Sequence, residues 1–308
     1  MNNLISVSCG NDSLAMLVRV AEIRDQAPDL FEGDSWTAVY CDTGWSRTGW
    51  DDRVEMAASL CEELGFRFKT LKRDVRNKIR KSVNDKVYGD ITNPYGMKAL
   101  IRKKTYFPNL HMKYCTMELK IKPFKDWITD QEWTPKQVRQ WVGVRRAEGG
   151  RLGKSNAKDR ANTVSLDIRS EITGYETVYP IAYVDDAERD NILSDNNIPV
   201  YPTRSEECYP CIYQMSERQL AELDEDAICK IELLEGLVTN FQKAKYDLLE
   251  TYQYENDEIF GMFNRTKCGG KNGIRAQVAW AKNQIKQEDS QGDLFIINDK
   301  CKSGACGL

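Results

Sequence analysis

Ser6-Val-Ser-Cys-Gly-Asn-Asp-Ser13, running into Leu14-Ala-Met-Leu-Val18, decides the fold of this chain. The short apolar run from Leu4 to Val7 reads as a buried strand. Ser8-Cys-Gly-Asn-Asp-Ser13 reads as a tight polar turn, and Leu14 to Val18 opens a helix. Strand, turn and helix N-terminus together make an anion site, because free backbone N–H groups and the positive end of the helix dipole meet at one spot. No Gly-Lys pair closes the turn, so it is not a Walker A loop. An ordinary βα turn with a Ser or Asp N-cap is the alternative.

Outward from that turn, strands and helices alternate through the first 185 residues. The pattern predicts strands over Leu4–Ser8, Trp36–Cys41, Phe66–Leu71, Val138–Val144 and Val178–Tyr183. Helices are predicted over Ser13–Gln26, Arg53–Leu64 and Met117–Thr129. This order implies an α/β fold: a doubly wound, mostly parallel five-stranded sheet with helices on both faces. Ligands on such sheets sit at the C-terminal strand ends, where Ser8 and Cys41-Asp-Thr-Gly-Trp45 fall. Residues 146–170 read as a loop rich in Gly, Arg, Lys, Ser and Asn. A helical, acidic stretch is expected from Ser216 to Ile259, and from Asn283 the chain is polar. The expected division is a nucleotide-binding domain over 1–185 and a smaller, mostly helical region with a flexible tail over 186–308.

At 41% hydrophobic and 30% charged residues the chain suits a globular protein, and no apolar stretch approaches the ~20 residues of a membrane span. Asp12 interrupts the N-terminal apolar segment and argues against a signal peptide, so a cytoplasmic protein without membrane partners is expected. Ten cysteines in a reducing compartment point to metal, cluster or redox work. The single His111 argues against sites built on several histidines. The net charge of −3 is unevenly spread: Lys72 to Lys125 holds fifteen Lys or Arg against four acids. Such a segment suits a nucleotide or a DNA or RNA backbone, or is a solvated surface.

Cys208-Tyr-Pro-Cys211 is a Cys-x-x-Cys, whose two sulfurs can face one metal or cluster or form a redox disulfide. No second Cys-x-x-Cys stands nearby, which disfavours a zinc ribbon. Cys115 and Cys268, the latter in Lys267-Cys-Gly-Gly-Lys271, are candidates to complete a set of four, or are plain buried cysteines. Cys41, Cys61 and Cys229 occupy apolar positions and are expected in the core.

Five segments in order, within residues 4 to about 215, resemble the phosphoadenosine-phosphosulfate (PAPS) reductase family of the PP-loop superfamily. They are Ser8-Cys-Gly-Asn-Asp-Ser13; Tyr40-Cys-Asp-Thr-Gly-Trp45; Cys115-Thr-Met-Glu-Leu-Lys-Ile-Lys-Pro123; Gly143-Val-Arg-Arg-Ala-Glu148; and Asp190-Asn-Ile-Leu193 with Ile198-Pro-Val-Tyr-Pro202 and the Cys-x-x-Cys. The first is similar to the family's Ser-Gly-Gly-x-Asp-Ser loop, with Cys9 in place of the first Gly and therefore less freedom in φ. The tail Cys306-Gly-Leu308 resembles the reductases' terminal Cys-Gly-Leu/Ile-His, without the His. Asp12-Ser13 is kept as in the ATP-cleaving members. One cysteine at 115, where cluster-bearing reductases have a pair, is more like the DNA phosphorothioation ATPases.

The resemblance implies an ATP pyrophosphatase that activates a substrate at the ATP α-phosphate for sulfur transfer, onto nucleic acid, with iron–sulfur assistance. The implied nucleotide ligands are Ser8, Cys9, Gly10, Asn11, Asp12, Ser13, Asp42, Thr43, Gly44, Lys120, Arg145 and Arg146. Asp12 would hold Mg²⁺, Asp12, Arg145 and Cys306 would be catalytic, and Cys115, Cys208, Cys211 and Cys268 would ligate a [4Fe-4S] cluster. A cysteine desulfurase or a thioredoxin is the implied protein partner. The alternatives are a thiol-dependent reductase that releases sulfite from PAPS or adenylyl sulfate, with Cys306 as nucleophile and Cys301 or thioredoxin resolving, and a non-catalytic nucleotide-binding scaffold.

Overall fold

The computed structural model describes residues 1–75, 93–109, 112–145, 168–169, 175–202, 207–211, 217–249, 259–263 and 273–302. The chain forms two compact units. The first comprises Met1–Asn77, Pro94–Met97 and Cys115–Tyr209; the second comprises Lys78–Asn93, Lys98–Tyr114 and Pro210–Leu308. Residues 186–209, expected with the C-terminal region, cluster with the first unit, while 78–93 and 98–114 cluster with the second. Leu193 and Ile198 explain the first of these placements, since both are buried in the core of the first unit.

The first unit is built on strands β1 (Asn2–Val7), β2 (Ser35–Cys41), β3 (Arg67–Leu71), β4 (Val138–Val142), β5 (Ile168–Arg169) and β6 (Glu176–Val178). Their order in the sheet is β3-β2-β1-β4-β6-β5. Five strands are parallel, as the alternating sequence requires. The two-residue β5 adds an antiparallel edge outside the expected five. The last parallel strand is displaced from the expected Val178–Tyr183. Pro180 has no N–H for the ladder, and the chain turns there with Ala182 N–H donating to the Tyr179 carbonyl.

Period-two alternation along the strands feeds two cores. Ile5 and Val7 of β1, Trp36, Ala38 and Tyr40 of β2, and Trp141 of β4 face one side. There they meet α1 (Asn11–Gln26), α2 (Trp50–Glu63) and the Leu193 of a later helix, Asp186–Asp195. Leu4, Val39, Leu71 and Val138 face the other side, against Phe124 and Ile128 of helix Lys122–Asp130. That helix continues from a short turn, Tyr114–Thr116, and a π-helical turn, Met117–Ile121, so the helix expected over 117–129 is present, with its first turn wound as π-helix. In chain order α3 is Gly96–Lys104, α4 Lys122–Asp130 and α5 Asp186–Asp195.

The second unit carries α3 from Lys98 onward, α6 (Glu217–Ala221), α7 (Glu225–Leu249) and α8 (Gly273–Lys302). Helix α8 runs through most of the segment expected to be a polar tail. Leu220, Ile231, Leu234, Val238, Ile274, Val278 and Ala281 are buried. Cys229, expected in the core, is exposed and hydrogen-bonds Glu225 one turn back on α7, so it belongs to the polar stripe of that helix.

Glu235 is 2% exposed, and its two carboxylate oxygens accept the N–H groups of Met262 and Ile274. Burial raises its pKa. Glu235→Ala leaves both buried donors unpaired, at about 1–3 kcal/mol each. The urea midpoint of the full chain should fall accordingly with an unchanged slope; an unchanged midpoint would contradict the clamp.

Candidate functional site

β1 has β2 on one side and β4 on the other, so the chain reverses its direction of travel across the sheet at β1/β4. Open α/β sheets bind ligands outside the strand ends at such a reversal. A cavity of about 700 Å³ lies there, lined from β1 (Ser6, Val7), β2 (Val39, Cys41), β4 (Gln140, Val142) and the loop Ser8–Ser13. Gln140 Nε2 donates to Ser6 Oγ at 3.0 Å, joining the two central strands at the cavity floor.

The loop is shaped by three features. Cys9 takes φ +60, left-handed backbone that a glycine would adopt without a Cβ penalty. Gly10 is the N-cap of α1, with extended backbone and no side chain to cap the first-turn N–H groups. Ser13 Oγ donates back to the Gly10 carbonyl at 2.9 Å. Opposite, Gly143 lies against α1: a Cβ there would stand 3.4 Å from the Asp12 carbonyl oxygen and 3.5 Å from Met16 Sδ.

A charge cluster closes one end of the cavity. Arg145 Nε donates to Asp12 Oδ1 at 2.8 Å, and its Nη2 to Asp186 Oδ1 at 2.8 Å. Arg189 Nη1 reaches the same two atoms, at 3.2 and 2.9 Å, while its Nη2 pairs with Asp190 at 2.7 Å. Arg145 is buried, and Asp186 is 73% exposed at its side chain. Both guanidinium groups line the cavity. Two cations there are tied to carboxylates that an incoming phosphate can replace.

The other side is formed by Lys120, whose Nζ pairs with the buried Glu207 at 2.5 Å. The Cys41 thiol donates to the Lys120 carbonyl at 3.5 Å. Glu207 precedes Cys208, and this segment is moored to the loop after β2. Thr43 Oγ1 donates to the Glu207 carbonyl at 3.3 Å, Tyr209 N–H to the Trp45 carbonyl at 2.8 Å, and Arg47 lies over the Tyr209 ring at 5.1 Å.

Of the residues expected to bind nucleotide, Ser8, Gly10, Asn11, Asp12, Ser13, Lys120 and Arg145 come together on the cavity wall. Cys9, Asp42, Thr43 and Gly44 are not on it. Asp42 shapes its own turn, with Oδ1 accepting the Gly44 N–H at 2.7 Å and Oδ2 pairing with Lys72. Thr43 is buried, and its carbonyl accepts the Met97 N–H. Gly44 packs on Gly96, where a Cβ would come within 2.7 Å of the Thr43 oxygen. Arg189, Asp186 and Glu207 line the cavity without having been expected there. Arg146, Cys268 and Cys306 lie outside the described residues.

Among the described residues no three His, Cys, Asp or Glu side chains stand together as metal ligands. Cys115 and Cys208 belong to the first unit and Cys211 to the second, all half-buried. Cys268 lies outside the described residues, so the expected set of four is not described as a whole. For Mg²⁺ the donor chemistry fits: the Asp12 carboxylate lines the cavity and takes both arginines on Oδ1 alone.

Burial pushes the thiols of Cys41 and Cys61 up to about 12, and raises that of Cys9 as well. At pH 8 these three are protonated, so none is poised as a nucleophile. The hydrogen bond to Glu225 raises the Cys229 thiol as well, but its exposure lets iodoacetamide at pH 8 modify it in the native chain, while these three should stay untouched until denaturant is added, as read by peptide mass mapping. Rapid native labelling of Cys41 would contradict this.

No protein-family model matches the chain, and no curated protein matches it in sequence. Distant similarity to solved structures is illustrated by two of them. A phosphoadenylyl-sulfate (PAPS) reductase from Candida auris, a phosphate complex, has a TM-score of 0.39 and 10% identity over 67% of this chain and 81% of that one. The U34-tRNA thiolase NcsA from Methanococcus maripaludis, with its [4Fe-4S] cluster, has a TM-score of 0.41 and 13% identity over 83% of this chain and 74% of that one. Among the described residues no helix is long and apolar enough to cross a membrane.

Proposed function

We propose that the chain is an ATP pyrophosphatase that adenylates an acceptor for sulfur transfer. The observation that carries the proposal is the pair Arg145 and Arg189, held on Asp12 at the mouth of the cavity beside an uncapped helix N-terminus. The adenine nucleotide would lie along the strand ends, with its phosphates on Ser8, Ser13 and the first-turn N–H groups of α1. An acceptor oxygen attacks the α-phosphorus, the bond to the bridging oxygen of the β-phosphate breaks, and pyrophosphate leaves. A sulfur nucleophile then displaces AMP from the adenylated acceptor. The protein positions the groups and neutralises charge, with no protein nucleophile in the first step. Arg145 and Arg189 would hold the departing pyrophosphate. Asp12 would hold Mg²⁺, which supplies further neutralisation of the phosphate charge.

A polynucleotide acceptor is supported by the basic segment 72–125, part of which lies outside the described residues. Lys72, Arg73, Lys120 and Lys122 are committed to Asp42, Glu118 and Glu207. Lys98 and Arg102 are exposed four residues apart on α3 and suit a phosphate backbone. The test is chromatographic: ATP and Mg²⁺, with and without DNA or RNA, should give AMP and pyrophosphate. ADP and phosphate, or no turnover with any acceptor, would overturn the proposal. Sulfite release from PAPS without ATP cleavage would replace it with the reductase chemistry.

A further inference from the structure

Arg53 sits on α2, away from the cavity wall, and is 6% exposed. Its guanidinium makes three hydrogen bonds, all to neutral oxygens. Nε donates to the Cys9 carbonyl at 3.1 Å, Nη2 to Asn11 Oδ1 at 2.9 Å and Nη1 to the Pro199 carbonyl at 2.7 Å. The Tyr201 ring lies 5.6 Å from its carbon centre. Among the described residues no carboxylate pairs with it. A buried charge without a counter-ion is costly, and proteins keep one where an anion completes it.

Two of the three bonds reach the phosphate loop, one at the Cys9 carbonyl and one at the Asn11 side chain, and the third ties the guanidinium to Pro199. Cys9 is the one residue of that loop held at positive φ without being glycine, a conformation that persists only when its surroundings over-determine it. Arg53 holds the carbonyl of that residue. It also fixes Asn11, whose Oδ1 accepts the Tyr201 N–H at 2.9 Å and whose Nδ2 donates to the Tyr201 carbonyl at 2.8 Å. Asn11 and Tyr201 both line the cavity.

We propose that Arg53 is the positioning residue of the phosphate loop: it locks Cys9 in its left-handed conformation and supplies a buried positive charge whose counter-ion is the polyphosphate of the bound ligand. This rests on the nucleotide assignment of the cavity. Arg53 touches no substrate; it acts through the Cys9 carbonyl and the Asn11 side chain.

Calorimetric titration of the full chain with Mg-ATP, and separately with inorganic pyrophosphate, tests the proposal on Arg53→Lys, Arg53→Gln and Cys9→Gly, with urea midpoints measured in parallel. Arg53→Gln should weaken both ligands by about 10–100-fold. Arg53→Lys, which keeps the charge, should recover at least tenfold of that loss at a similar urea midpoint. If Arg53→Gln does not fold, it is placed in the Cys9→Gly background, where the loop no longer holds a side chain at positive φ, and the same Lys-over-Gln difference is expected. Equal affinities for the Lys and Gln variants, or wild-type affinity in Arg53→Gln, would overturn the proposal. A wild-type chain that binds neither ligand would instead overturn the nucleotide assignment, and the role of Arg53 with it.

Discussion

Arg145→Gln is expected to lower the rate of ATP cleavage by about 10²–10³-fold while the chain stays folded. Arg145 spans Asp12 and Asp186 and also donates to the Val184 carbonyl at 3.5 Å. Its removal strands no deeply buried charge, because Asp186 is 73% exposed at its side chain and Asp12 keeps Arg189. The structural loss is therefore small. The chemical loss is large if the guanidinium meets the charge that develops as pyrophosphate departs, since a fixed donor aimed at such charge stabilises the transition state more than the ground state. Steady-state kinetics separate the two: kcat should fall far more than KM rises. A variant with unchanged kcat and a raised KM would make Arg145 a ground-state ligand only, and full activity would remove it from the site.

The site was legible where its residues obey local rules. The loop Ser8–Ser13 was readable because an apolar strand, a turn and an apolar helix leave one geometry for the residues between them. Arg145 followed from a strand end and from its place in the Gly143-Val-Arg-Arg segment. The residues that escaped are those whose neighbours come from distant sequence. Arg53 looks like any polar position in an amphipathic helix; its burial depends on Cys9 and Pro199, 44 and 146 residues away. Arg189 stands in an acidic helix start, Asp185-Asp-Ala-Glu-Arg-Asp190, where it looks like local charge balance. Only the fold brings it to Asp12, 177 residues away. Asp42, Thr43 and Gly44 stand off the cavity wall for the opposite reason. A strand end marks the ligand side of a sheet without saying which side chains are spent elsewhere: here Asp42 shapes its own turn and Thr43 moors the Glu207 segment. The early stop of the last parallel strand was readable at Pro180 by the rule that proline cannot donate to a ladder.

Asp12→Asn is expected to move binding and turnover in opposite directions. Asn keeps an oxygen for the guanidinium groups of Arg145 and Arg189, so the cluster should persist. What is lost is a negative charge in the same cavity as the phosphates, competing with them for both arginines. At an effective dielectric of about 20, such a like charge several ångströms away is worth about 1–2 kcal/mol, so metal-free ATP should bind roughly tenfold more tightly to the variant. Turnover with Mg²⁺ should fall at least about a hundredfold, because the carboxylate that would hold the ion is gone. Calorimetry in EDTA and product analysis in Mg²⁺ read the two effects separately. Parallel weakening of both would mean that Asp12 is needed to keep the arginines in place. Tighter metal-free binding with normal turnover would place the metal on other residues. The opposed outcome alone gives Asp12 both of its roles: holding the two arginines in the empty site, and taking the ion when the phosphates displace it from them.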